Sequence, residues 1–173
     1  MTEAAGKSYD GLPGAFRFAF SRSNSWLFKL YVAVALVLAG LVTIIFVFAL
    51  IVLIADTVDA SDGSISLLRS FFVLVGLLVV LPILAPVLFV ARRHRREIGD
   101  DTGYDRRLAS TGFLFIFAVY LGLVVSTPPE QQTSVDGALG PVLEVLYGLP
   151  SIVGLVPPVV AVLVIYGTHR LSR

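Results

Sequence analysis

From Trp26 to Ala55 the chain carries a single charge, Lys29, in an otherwise apolar run. As an α-helix rising 1.5 Å per residue, this stretch exceeds about 40 Å, against roughly 30 Å for the hydrocarbon core of a bilayer. A helix that is oily on every side over such a length has lipid as its solvent. The rest of the chain agrees: of 173 residues 57% are hydrophobic and 14% charged, where a soluble domain has roughly 25% charged residues.

Three further apolar runs follow, so spans are expected at about 26–55, 65–91, 108–126 and 139–167. Hydrocarbon offers no water to backbone N–H and C=O groups, which leaves the helix as the form for runs of this kind. The predicted fold class is all-α, an integral membrane bundle of four transmembrane helices (26–173) behind an N-terminal segment (1–25). In that segment GLPGAFRFAFSRSNS, residues 11–25, places Phe16, Ala19 and Phe20 on one helical face and Arg17, Ser21 and Arg22 toward water or headgroups. An amphipathic interfacial helix started by Pro13 is the expectation. Ser23, Asn24 or Ser25 can cap the first span, with Trp26 and Tyr31 read as anchors at headgroup level. The first run is too long, and begins too far in, for a secretory signal.

Prolines punctuate the later spans. Pro82, Pro157 and Pro158 are expected to kink their helices, because proline removes a donor and clashes with the preceding turn. The fourth region, broken also by Pro150, reads equally as a short interfacial helix (Pro141 to Tyr147) followed by a kinked span, or as one long bent helix. A shift of 75 residues places Pro82 on Pro157, Val87 on Val162, Leu88 on Leu163, His94 on His169 and Arg95 on Arg170. Two oily helices ending in basic residues also align this way without common descent.

Charge placement orients the spans. Lys7, Arg17, Arg22, Lys29, Arg92, Arg93, Arg95, Arg96, Arg106, Arg107, Arg170 and Arg173 fall on alternate connecting segments; Asp56, Asp59, Asp62, Glu130, Asp136 and Glu144 fall on the others, joined by Arg69 alone. Lys and Arg near span ends stay on the cytoplasmic side. A multi-pass protein of the cell membrane with both termini cytoplasmic is therefore expected.

The string FRFAFSRSNSWLFKL, Phe16 to Leu30, resembles the opening of uncharacterised prokaryotic multi-span membrane proteins, in which an aromatic and basic segment leads to Trp and Lys or Arg at the first span. Arginine outnumbers lysine 11 to 2 and aspartate outnumbers glutamate 8 to 4, a bias in the direction of prokaryotes with GC-rich genomes and especially of extreme halophiles, haloarchaea among them. The resemblance implies no activity, cofactor or site residue.

Residue chemistry narrows the function by elimination. With no cysteine, disulfides, thiolate metal sites and cysteine nucleophiles are out. Patterns such as HExxH, GxSxG and the phosphate loop are missing, so neither enzyme activity nor a cofactor is expected. ARRHRREIGDDTGYDRRL, Ala91 to Leu108, could pass for a nucleic-acid patch. Topology accounts for it better: Arg92, Arg93, Arg95, Arg96, Arg106 and Arg107 sit at two span ends, where they set orientation and meet anionic lipid headgroups, partly neutralised by Asp100, Asp101 and Asp105. Asp56, Asp59 and Asp62 lack the spacing of a calcium loop and read as a solvated turn. His94 and His169, just beyond span ends, read as solvated interfacial histidines. Arg69 and Glu144 are the charges nearest the membrane interior and form a possible structural ion pair, with Arg69 reaching toward Asp56 and Asp59 as the alternative. Thr43 can bond back to its own helix, and the Tyr120 phenol needs a partner.

Ala118, Gly122 and Ser126, spaced by four, form a flat stripe for close helix packing, with a shorter one at Ala35 and Ala39. Function is accordingly expected in membrane surfaces: an accessory or assembly subunit of a membrane complex, or a homo-oligomer, with other membrane subunits or itself as partner. The alternative is a small transporter or channel component using the interrupted fourth region.

Overall fold

A computed structural model describes residues 11–58, 63–96, 102–133 and 140–172. These hold α1 (Gly11–Arg22), α2 (Trp26–Asp56), α3 (Gly63–Arg95), α4 (Thr102–Val125), α5 (Gly140–Tyr147) and α6 (Val156–Leu171), with 3-10 turns at Pro129–Gln131 and Ser151–Leu155 and no strand among them. Four segments are long and apolar enough to cross a membrane: α2, α3, α4 and Ser151–Leu171, which joins the second 3-10 turn to α6. The chain is an all-α membrane protein. Lys7, Asp59, Asp62, Asp100, Asp101, Asp136 and Arg173 lie outside the described residues.

The chain forms two compact units, Met1–Ala109 and Ser110–Arg173, with α4 starting in the first and ending in the second. In the first unit α2 packs along α3, and α1 lies on α3 and, less extensively, on α2. Gly11 opens α1 at φ 69°, where a side chain would be strained. Pro13 follows in the first turn, whose N–H groups have no helical acceptor in any case. Ala15, Phe16 and Ala19 are buried, whereas Phe20, expected on the same face, is 46% exposed. Of the three candidate caps for α2, Ser25 is the one used: its hydroxyl accepts from the Phe28 N–H at 3.3 Å. Ser23 in turn accepts from the Ser25 N–H at 3.2 Å, so the tight link between α1 and α2 satisfies its own polar groups.

Tyr31 departs from its expected role. It is fully buried, and its phenol donates to the Ile83 carbonyl at 2.7 Å, so it is no headgroup anchor. The acceptor lies on α3, which runs continuously through Pro82 and Pro86. Each proline lacks an N–H, so the carbonyl four residues before it loses its helical donor. Ile83 lies between the two prolines, and its carbonyl takes the Tyr31 donor from across the helix pair. Tyr31→Phe should cost about 0.5–1.5 kcal/mol of stability, the worth of one such bond between membrane helices. Thermal unfolding in detergent micelles checks this.

Packing is concentrated at one end of this unit. The buried residues of α2 all fall between Phe28 and Ala39, and those of α3 between Gly76 and Ala91. Beyond them α2 and α3 meet through Phe46 and Phe72, with ring centroids 5.1 Å apart. Phe46 also covers Gly76, where an added Cβ would come within 2.8 Å of the ring. A groove of about 200 Å³ opens here, lined by Thr43, Phe46, Leu50, Phe72, Gly76 and Val80 among others. Thr43 donates to the Ala39 carbonyl of its own helix at 2.7 Å. At the far end Arg69 donates to the Thr57 carbonyl at 2.7 Å and to its hydroxyl at 2.6 Å. Thr57 terminates α2, so Arg69 is a cation on a helix C-terminus, where the backbone dipoles favour it.

In the second unit the interrupted fourth region takes the split form, α5 and then a separate span. Pro157 and Pro158 open α6 immediately after the 3-10 turn Ser151–Leu155 and kink no helix. The first turn of a helix is where proline costs least. Pro82, aligned with Pro157 by the 75-residue shift, sits deep inside α3 instead.

Candidate functional site

The chemistry-bearing groups of the first unit converge where α3 ends and α4 begins. Ile83, Val87 and Val90 are buried along one stripe of α3, and His94 continues it at the same helical spacing of three and four residues. Tyr104, Asp105 and Leu108 are the matching buried residues of α4. The His94 imidazole lies with Nε2 3.0 Å from one Asp105 carboxylate oxygen and 3.3 Å from the other. Their side chains are 5% and 2% exposed. One residue earlier on each helix, the Arg93 guanidinium stacks 4.2 Å above the centre of the Tyr104 ring. Two consecutive residues of α3 thus clasp two consecutive residues of α4.

This corrects two readings of the sequence. His94 is not a solvated interfacial histidine, and Asp105 does not face outward to neutralise the arginines. Both occupy the inward face of their helices, and a carboxylate removed from water must find a donor nearby. A carboxylate only accepts, so the pair forms as a hydrogen bond when His94 Nε2 carries the hydrogen. His169 is also buried, one turn beyond Ala161 and Ile165 on α6, and its expected solvation is likewise overturned. The missed signal was periodic: each histidine extends an apolar stripe, but a polar residue after a run of oily ones reads as the point where the chain leaves the membrane.

The other singled-out residues divide by place. Arg92, Arg95, Arg96, Arg106 and Arg107 are exposed at the ends of α3 and α4, while Arg93 is half-buried on Tyr104. Arg69 has its guanidinium on Thr57, and Glu144 is exposed on α5. Tyr120 is exposed on α4.

Ala118 is buried, and Gly122 and Ser126 lie against the 3-10 turn that precedes α6. The Ser126 hydroxyl donates to the Ser151 carbonyl at 3.2 Å. A Cβ added at Gly122 would collide with the Gly154 carbonyl oxygen, and one added at Gly154 would come within 2.6 Å of the Gly122 carbonyl. Pro157 and Pro158 occupy the two positions whose N–H groups would serve the Gly154 carbonyl in a 3-10 or an α turn. That oxygen is left facing the Gly122 backbone, a contact of the weak Cα–H···O type.

Chemically, a buried imidazole and carboxylate can hold a proton between two helices or fasten one helix to the other. Among the described residues no three of His, Asp and Glu gather into a group that could hold a metal ion. No curated protein and no solved structure matches the chain.

Proposed function

The chain belongs to the family described as a domain of unknown function (DUF8056), which matches residues 1–173, and since that family brings no activity with it, we propose from the geometry that this is a non-enzymatic accessory or assembly subunit, or a homo-oligomer, acting through helix contacts in a prokaryotic cell membrane. Both termini face the cytoplasm in this reading, which follows from the basic residues at alternate span ends.

One observation carries the proposal. From Gly40 to Asp56 on α2, and from Gly63 to Val75 on α3, no residue is fully buried, and a groove lined by Thr43, Phe46, Phe72 and Gly76 opens along the two stretches. Leu41, Ile44, Phe48, Ile51 and Val52 all point away from the unit. Half of a helical hairpin is thereby left to be covered by lipid or by other helices, while the other half is closely packed. The His94–Asp105 pair supports a non-enzymatic role: it is sealed beside the Arg93–Tyr104 stack and fastens α3 to α4.

A photoreactive residue at Ile44, Phe48 or Val52 in native membranes should give discrete protein adducts, and the same partner should copurify stoichiometrically after mild solubilisation. Adducts with lipid alone, and no comigrating subunit or second copy, would overturn the proposal. The transport alternative draws on the break between α5 and α6. There the Gly154 carbonyl already lies against Gly122, which favours packing over substrate coordination. Solute flux in liposomes that Pro157→Leu abolishes would reverse this order.

A further inference from the structure

We propose that the packed end of the first unit is a binding surface for the phosphate headgroups of anionic phospholipids, assembled by α1 together with the start of α2 and the end of α3. The surface is independent of what the exposed half of the hairpin contacts.

Its geometry follows from the packing. Tyr31 meets Ile83 and Phe46 meets Phe72, so α2 and α3 run antiparallel and the start of one lies beside the end of the other. The buried face of α1, Ala15, Phe16 and Ala19, is held on this helix pair. Arg17, Arg22, Lys29, Arg92 and Arg96 are brought to one end by these three elements, although they are scattered over eighty residues of sequence. Arg17, Arg92 and Arg96 have no ion pair among the described residues. The one described carboxylate at this end, Asp105, is turned inward to His94. Glu3, Asp10, Glu97, Asp100 and Asp101, on the segments that adjoin α1, α3 and α4, lie outside the described residues.

Apolar groups decide the class of ligand. Trp26 is 75% exposed, and Leu12, Phe20 and Leu30 are exposed beside the cations. Lys29 lies 5.6 Å from the centre of the Phe20 ring, and Arg22 lies 5.8 Å from that of Phe18. A nucleic acid or acidic protein would leave these aromatic and aliphatic groups in water. Lipid covers them with acyl chain while the cations reach the phosphate layer, the arrangement expected of residues with apolar bodies and charged tips at a membrane interface. Because α1 is packed onto the hairpin, its cations are held in place before lipid arrives. A phosphodiester without a compensating choline is then preferred, since guanidinium groups pair with phosphate through paired hydrogen bonds.

Trp26 is the only tryptophan of the chain and lies within this surface, so its fluorescence reports on the lipid beside it. The full-length protein is reconstituted in vesicles containing brominated phosphatidylglycerol or brominated phosphatidylcholine, and quenching gives the relative affinity at Trp26. Anionic lipid should be preferred by at least about threefold, a ratio that falls in molar salt. The triple variant Arg17→Gln, Arg22→Gln, Lys29→Gln should bring the ratio to unity, and Arg92→Gln with Arg96→Gln should lower it, in protein shown to be folded by circular dichroism. Equal quenching by the two lipids in the unaltered protein, or a preference that survives both variants, overturns the proposal. So does inorganic phosphate that removes the preference better than chloride at equal ionic strength, which would assign the surface to a soluble anion.

Discussion

Asp105→Ala is expected to lower stability by about 3 kcal/mol, one of the two largest single-residue effects in the protein. Breaking a buried pair by removing one member costs about 3–5 kcal/mol when the survivor remains charged, and about 1–3 kcal/mol when it is left neutral with an unmet hydrogen bond. A lone imidazole can be neutral, which limits the loss. Asp105→Asn keeps an acceptor within reach of Nε2 and should lose less. His94→Leu combined with Asp105→Leu should recover most of the stability lost in Asp105→Ala, because neither polar group is then left alone. Unfolding in mixed micelles, followed by circular dichroism, ranks the four proteins. An Asp105→Ala variant as stable as the parent would mean that the pair between α3 and α4 is open to water.

The second large effect belongs to the glycines of the other unit. Gly122→Leu and Gly154→Val should each cost at least about 2–3 kcal/mol, because each meets a backbone carbonyl that no change of rotamer can move, that of Gly154 at Gly122 and that of Gly122, beside the Ser126 hydroxyl, at Gly154. The two segments would have to part, exposing the Gly154 carbonyl to hydrocarbon. Gly40 and Gly167 supply the contrast: an added Cβ meets nothing within 4 Å at either position. Alanine there should be neutral or gain up to about 1 kcal/mol from helix propensity. The chain has no cysteine, so a disulfide between Ser126→Cys and Ser151→Cys reads the contact directly. Its yield should be high in the parent background and fall sharply with Gly122→Leu. Equal yields would show that the segments meet without needing glycine.

What could be read in advance differs between these two sites for a physical reason. Gly122 and Ser126 were visible as a stripe because small residues are uncommon enough in an oily helix to mark a face. Their counterpart Gly154 lies in GLPSIVGLVPPVV, whose prolines announced a break and freed the Val153 and Gly154 carbonyls but not which segment the Gly154 backbone would meet. His94 and Asp105 belonged to a stretch so rich in charge that every residue in it looked exposed. Distinguishing the inward pair from the outward arginines required knowing which faces of α3 and α4 meet. Tyr31 was misplaced on the same ground: a tyrosine near a span end serves headgroups by default, and only the packing of α2 on α3 brings its phenol to the Ile83 carbonyl.

Taken alone, the order of residues pointed to a membrane protein, to four segments long and apolar enough to cross lipid and to their being helical, because a bilayer admits no other form for isolated oily runs of that length. It could not determine which side of each helix faces protein. A soluble helix declares its buried side by alternating with polar residues, but a helix bathed in hydrocarbon is apolar all round and has no such period. Tertiary packing alone decided that Tyr31, His94, Asp105 and His169 lie inside, that Arg69 caps α2, and that one half of the α2–α3 hairpin is closely packed while the other stands open. Those choices turn on contacts a few ångströms across between residues far apart in the chain.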